Sequence, residues 1–190
     1  MRAIGKFEKA LSNYEVASKL RPGKPGVIFS CGVCNSALKN YDKAIEAYNA
    51  VLEIQPGHAD ALNERGLAWQ RKQDYLKAIA SFTAASEADH GHYEAMNNLA
   101  WLLANCKQKE LRSSSRAVVI ATQACKVTGF KNWYCLGTLA ASYARDGQFA
   151  QAIQAQKKAL HFMPKDASSA DREDYQKRLM IYQAGQRARS

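Results

Sequence analysis

Small residues recur along this chain at a fixed interval: Ala10, Ala44 and Ala78 lie 34 residues apart, and so do Gly32 and Gly66. A fixed period of roughly 20–50 residues points to stacked repeats, in which each unit buries its apolar face only against its neighbours. The aromatic residues keep the same interval, with Phe7, Tyr41 and Tyr75 in one column and Tyr14, Tyr48 and Phe82 in another. So do Ala17, Val51 and Ala85, and the prolines Pro22 and Pro56, with His90 taking the third place. Composition alone does not put six columns in one register.

Each column has a physical task. The small residue at the eighth position of the period (Gly32, Gly66, Ala100, Ala140) lets one helix approach the next closely. The alanine at the twentieth (Ala44, Ala78, Ala117, Ala152) does the same from the other side, and the aromatics fill the wedge between pairs. Proline at position 32 lacks an N–H and cannot continue a helix, so it ends the second one. Apolar residues recur at helical spacing within each segment, as in Tyr41, Ala44, Ile45, Tyr48, Val51 and Leu52. This pattern resembles the tetratricopeptide repeat, most closely over residues 59–92 with Leu62, Gly66, Trp69, Tyr75, Ala78, Phe82 and Ala85. The resemblance implies an all-α fold, a right-handed α-solenoid of antiparallel helix pairs.

The register predicts helices over 6–20, 25–38, 41–54, 59–72, 75–88, 93–106, 114–127, 133–146 and 149–162. A last helix near 168–184 carries Tyr175, Leu179, Met180 and Tyr182 among many charges, as expected of a solvating cap. The organisation is then a partial repeat over 1–24, full repeats over 25–58, 59–92, 93–132 and 133–166, and a capping helix with tail over 167–190. The first repeat holds only its second helix, a pattern compatible with a fragment of a longer protein but not one that decides it. A second departure is the interval from Ala78 to Ala117, which is 39, placing five extra residues around Cys106–Ser115. This extended turn resembles a variant found in bacterial arrays, including ones attached to signalling proteins.

Composition bounds the function. A hydrophobic fraction of 47% is ample for a core, and the frequent alanine favours helix. The chain is basic, with 27 Lys and Arg against 17 Asp and Glu, and the excess lies mainly in residues 1–24 and 93–132. A solvated basic surface is the commoner explanation of this, ahead of an acidic partner. Five cysteines cannot all pair within one chain and read as free thiols in a reducing, cytoplasmic setting. No apolar run approaches the ~20 residues of a membrane span, and no signal peptide is expected.

The family resemblance implies a groove lined by positions 2, 5, 9, 12 and 13 of each repeat. The candidate peptide-binding residues are Asn63, Leu67, Gln70 and Arg71 in one repeat, Asn97, Trp101 and Asn105 in the next, and Arg145 in the last. Amides at Asn63 and Asn97 suit a peptide backbone, Trp101 an apolar anchor, and Arg71 and Arg145 carboxylates. The simpler alternative is that Trp101 packs against adjacent helices and the asparagines are merely solvated. A two-carboxylate clamp of the chaperone-tail type is absent. Phe29 and Val33 stand in its first two places, Glu64 in the next repeat, and Glu94 and Asn98 in the third.

Signals for chemistry are weak. Cys31 and Cys34 form a CxxC, but Gly32 between them is a repeat column, so small core cysteines are the expected role. His58, His90, His92 and His161 lie near repeat junctions without a completed metal set, and Ser113–Ser115 read as a helix N-cap or a phosphorylation site. No phosphate-cradling loop or nucleophile elbow occurs, so no cofactor, metal or catalysis is expected. The expected function is a protein-interaction scaffold holding a peptide or helix of an unidentified protein partner. The rivals are an RNA-binding helical repeat, disfavoured by Asp60 and Glu94 in the groove, and a self-associating regulatory module. Self-association would use the exposed first helix, with Ile4, Phe7, Leu11 and Tyr14 covered by a second copy.

Overall fold

The computed structural model describes residues 2–20 and 23–188. Its helices are α1 (Arg2–Leu20), α2 (Pro25–Ala37), α3 (Tyr41–Ile54), α4 (Ala59–Arg71), α5 (Tyr75–Ala88), α6 (Tyr93–Asn105), α7 (Ser114–Val127), α8 (Trp133–Arg145), α9 (Phe149–Phe162) and α10 (Ser169–Arg187). A short 3-10 turn occupies Lys109–Leu111, and no strand occurs among the described residues. The chain forms two compact units, residues 1–90 and 91–190, each a stretch of helical solenoid. In the first, α1 packs on α2, α2 on α3, α3 on α4 and α4 on α5. In the second, α6 packs on α7 and α8, α7 on α8, α8 on α9, and α9 on α10. No helix among the described residues is long and apolar enough to cross a membrane. Pro22, one of the column prolines, and the side chain of Ile4 lie outside the described residues.

The columns perform the expected packing. A Cβ added at Gly32 would lie 2.6 Å from the Tyr48 ring, and one added at Gly66 would lie 2.6 Å from Phe82. Tyr48 and Phe82 are fully buried, so the missing methyl is what lets each ring seat. Ala44, Ala78, Ala117 and Ala152 are all fully buried as well.

Helix ends obey the same period. The turns after α2, α4 and α8 place Lys39, Gln73 and Gly147 at φ of 65°, 65° and 79°. Each closes with the same pair of bonds: Asn40, Asp74 and Gln148 donate to the carbonyls of Asn35, Trp69 and Tyr143, and Lys39, Gln73 and Gly147 to those of Ser36, Gln70 and Ala144. This is a Schellman closure, which favours glycine because a left-handed residue with a Cβ is strained. Two of the four histidines near the junctions turn out to be N-caps. His58 accepts from Ala61 N–H at 3.3 Å and His92 from Ala95 N–H at 3.2 Å.

The extended turn after α6 replaces that closure. Arg112 Nε donates to the Cys106 carbonyl at 2.6 Å, and Ser113 N–H returns to the Leu103 carbonyl at 2.9 Å. Ser113 holds the N-cap position of α7 without a side-chain bond. Ser114 instead donates to Asp146 Oδ1 at 2.8 Å, which with the Gln148 amide lowers the Asp146 pKa from its ordinary value.

Two substitutions should move stability in opposite directions. Gly66→Ala, driving a methyl into Phe82, should cost about 1–3 kcal/mol. Gln73→Gly should stabilise by about 0.5–1 kcal/mol, because relief of left-handed strain exceeds the added unfolded-state entropy. Urea denaturation midpoints test both, and a shift of the same sign in the two variants would contradict this packing account.

Candidate functional site

Within residues 1–90, α2 and α4 flank an open hollow of about 450 Å³. Val33, Ala37, Leu67 and Ala68 give it an apolar floor, while Ser36, Lys39, Glu64 and Arg71 supply polar groups. Of the four residues expected here, Leu67 and Arg71 line the hollow together; Asn63 and Gln70 share α4 but do not. Asn63 is buried at 6% exposure and its amide donates to Glu64 Oε1 at 3.4 Å. Phe29, a groove position by register, is half-buried and stacks on His58 with ring centroids 5.3 Å apart. Trp69 is covered by the ammonium groups of Lys72 and Lys77, 5.4 and 4.3 Å from its ring.

Within residues 91–190 the lining comes from α6, α8 and, unexpectedly, α10. Where α10 packs, α8 presents Gly137, and beside the hollows it also presents Ala141 and Ala144. A Cβ at Gly137 would lie 2.3 Å from the Tyr175 hydroxyl, so Tyr175 of α10 seats directly on that glycine. One turn further along α10, the Arg178 guanidinium reaches the Trp101 ring of α6, 5.1 Å from its centroid, and binds Asp174 at 2.6 Å. Gln156, fully buried on α9, ties the helix down by donating to the Tyr175 carbonyl at 2.8 Å.

Arg178 thereby borders two hollows. One, of about 240 Å³, holds Asn97, Trp101, Tyr134, Asp171 and Asp174. The Oδ1 of Asn97 is shielded there from solvent and has no hydrogen-bond partner among the described residues. The other, of about 400 Å³, holds Trp101, Asn105, Arg145, Phe149, Ile181 and Tyr182. In it Arg145 donates to Asn105 Oδ1 at 3.4 Å, and Asn105 donates to the Trp101 carbonyl at 3.1 Å. The Tyr182 hydroxyl is pushed up by burial and drawn back down by Arg178 and Arg145. The sequence-derived set of Asn97, Trp101, Asn105 and Arg145 is thus gathered around these hollows. Asp171, Tyr175 and Arg178 were missed, although the same period carried into α10 puts them at positions 5, 9 and 12.

Four of the thiols are displaced away from reactivity. Burial pushes Cys125 up from 9.0 to about 12 and Cys135 to about 11, and it raises Cys31 and Cys34 as well. An activated thiolate needs the opposite shift. All five cysteines are free, and no cluster of three metal-ligating side chains occurs among the described residues.

The family model of the tetratricopeptide repeat matches residues 2–59 and 36–91. Among solved structures, the thermophilic TPR protein TTC0263 of Thermus thermophilus superposes with a TM-score of 0.70 at 20% identity, covering 94% of this chain and 93% of that one. MamA of Desulfovibrio magneticus RS-1 gives 0.71 at 17% identity, over 86% of this chain and 89% of its own. YrrB, described as a TPR protein with an unusual peptide-binding site, gives 0.65 at 16% identity, over 87% and 82%. At these identities the likeness is one of fold. No curated protein matches by sequence.

A raised thiol pKa fixes the sign of an alkaline effect. Cys125 and Cys135 favour the fold below the unfolded value near 9.0, and that contribution is lost as pH climbs toward about 11 and 12, where the unfolded chain binds fewer protons. Melting temperature should therefore fall progressively above about pH 9. In a thiol-reagent assay on the native protein at pH 8, half-buried Cys31 should react well before Cys125 or Cys135; equal rates would contradict the burial described.

Proposed function

Since the chain is a tetratricopeptide-repeat protein, we propose that it is a non-catalytic scaffold holding an extended peptide or a helix of a partner protein along the first helices of its repeats. The repeats are taken as the register bounds them: 25–58, 59–92, 93–132 and 133–166, between a partial repeat and a capping helix. The observation that carries this reading is the pair of open hollows of about 450 and 400 Å³, each combining apolar floor with a few convergent polar groups. Such surfaces take side chains of a docked segment. YrrB, which shares the fold, has a peptide-binding site.

The binding residues proposed are Asn63, Leu67, Gln70 and Arg71 in one unit, and Asn97, Trp101, Asn105 and Arg145 in the other. Leu67 and Trp101 are the anchors, because they combine partial exposure with apolar area. Asn63 acts from beneath, through Glu64, rather than by direct contact. The free cysteines favour a reducing cytoplasmic setting. Phe7, Tyr14, Val16 and Leu20 are exposed on α1, and a second copy of the chain is proposed to cover them. Sedimentation as a clean monomer at high concentration would exclude that association.

A random decapeptide library selected on the intact chain tests the main reading. Enriched peptides should lose about tenfold in affinity, or about 1.4 kcal/mol, on Trp101→Ala or Leu67→Ala. Raising salt from about 50 to 200 mM should weaken them by less than about tenfold, whereas a nucleic-acid binder making many phosphate contacts loses about a thousandfold or more. Tight, steeply salt-dependent binding of homopolymeric RNA with no peptide enrichment would refute the reading.

A further inference from the structure

Arg178 lines two hollows that differ in their other charged groups. On one side stand the carboxylates of Asp171 and Asp174 with the unbonded Oδ1 of Asn97, all acceptors. On the other stand two guanidinium groups, Arg145 and Arg178, with no carboxylate among the lining residues. Arg178 already shares Asp174. Arg145 is exposed, and its one side-chain bond among the described residues is the 3.4 Å contact with the Asn105 amide oxygen, so its charge is largely unneutralised by protein. Around these cations the walls are apolar: Trp101, Phe149, Ile181 and Tyr182. Ile181 is 63% exposed, an uncovered apolar lip beside a cation pair.

We propose that the hollow bounded by α6, α8 and α10 is a subsite for an acidic side chain followed or preceded by a bulky apolar one in a bound peptide. The inference rests on the peptide-scaffold reading above and names the chemistry of its partner. The carboxylate docks between Arg145 and Arg178, whose planar donors bind carboxylates through paired hydrogen bonds. The neighbouring apolar side chain lies against Trp101, Phe149 and Ile181, where it removes the exposed lip from water. The capping helix is therefore a working wall of the groove, contributing half of the anion site. The charge of the opposite hollow gives the peptide a direction, since a basic residue fits only beside Asp171 and Asp174.

The decapeptide selection on the intact chain, with the winning sequences resynthesised, decides the matter. The expected result is enrichment of Asp or Glu next to Leu, Ile or Phe. Arg145→Gln and Arg178→Gln should each weaken binding about tenfold or more, as should replacing the peptide's acidic residue by its amide. Lys158→Gln, which removes an exposed charge from α9, should leave affinity within about twofold. Because Arg178 helps seat α10, Arg145→Gln is the decisive variant, its side chain lying exposed at the end of α8. Peptides without acidic residues, or Arg145→Gln binding like the wild type, would overturn the anion subsite while Trp101→Ala still reports on the groove. If no peptide is enriched at all, both readings fall together.

Discussion

The fold depends on one contact, a residue without bulk on the first helix of a pair opposite a buried side chain on the second. In residues 1–90 it is made twice, by Gly32 with Tyr48 and by Gly66 with Phe82, each at a distance no added methyl would tolerate. The spacing it imposes lets the flanking alanines at positions 20 bury completely and fixes where each turn must close. In residues 91–190 the same register holds different chemistry. The positions equivalent to Tyr48 and Phe82 carry Ala121 and Gln156, both fully buried, opposite Ala100 and Ala140. A ring is replaced there by an amide that needs a partner, and Gln156 finds one in the Tyr175 carbonyl. The departure from the aromatic column is thus what joins the capping helix to the repeat before it.

Most of the helical architecture was legible because it follows from period and propensity, which are local. Every helix expected from the register occurs, with ends differing by a few residues at most positions; α1 starts earlier and α10 runs on to Arg187. The 3-10 turn at Lys109–Leu111 was not legible. Its closure rests on Arg112 reaching the Cys106 carbonyl, a contact of one insertion that no repeat column encodes. The histidines looked like stray junction residues, yet His58 and His92 stand 34 apart and cap equivalent helices. Periodicity carried that information, but histidine is an uncommon cap and invites a metal reading first.

The groove was legible only in part, for a reason of side-chain reach. Asn97, Trp101 and Ala144, at positions 5, 9 and 12, line the hollows, but α10 was read as a cap and its own positions 5, 9 and 12 were not followed. What makes α10 count is the smallness of α8. With Gly137, Ala141 and Ala144 on that side, Tyr175 can settle onto the backbone and Arg178 can extend as far as the α6 indole. Larger residues on α8 would have held α10 away from Trp101 and left a groove of repeat residues alone.

The Arg178–Trp101 contact also explains how a basic chain can present a selective surface. A cation over an indole gains about 0.5–2 kcal/mol depending on how dry it is, enough to hold the guanidinium in one place without neutralising it. Asp174 fixes it from the opposite side at 2.6 Å. A long flexible cation is thereby turned into an oriented donor group, so in the proposed subsite a ligand carboxylate would meet hydrogen bonds whose ordering entropy was already lost on folding. Net charge draws in any acidic molecule, but in the proposed subsite that held geometry is what would distinguish a peptide of the right sequence and direction from one that is merely acidic.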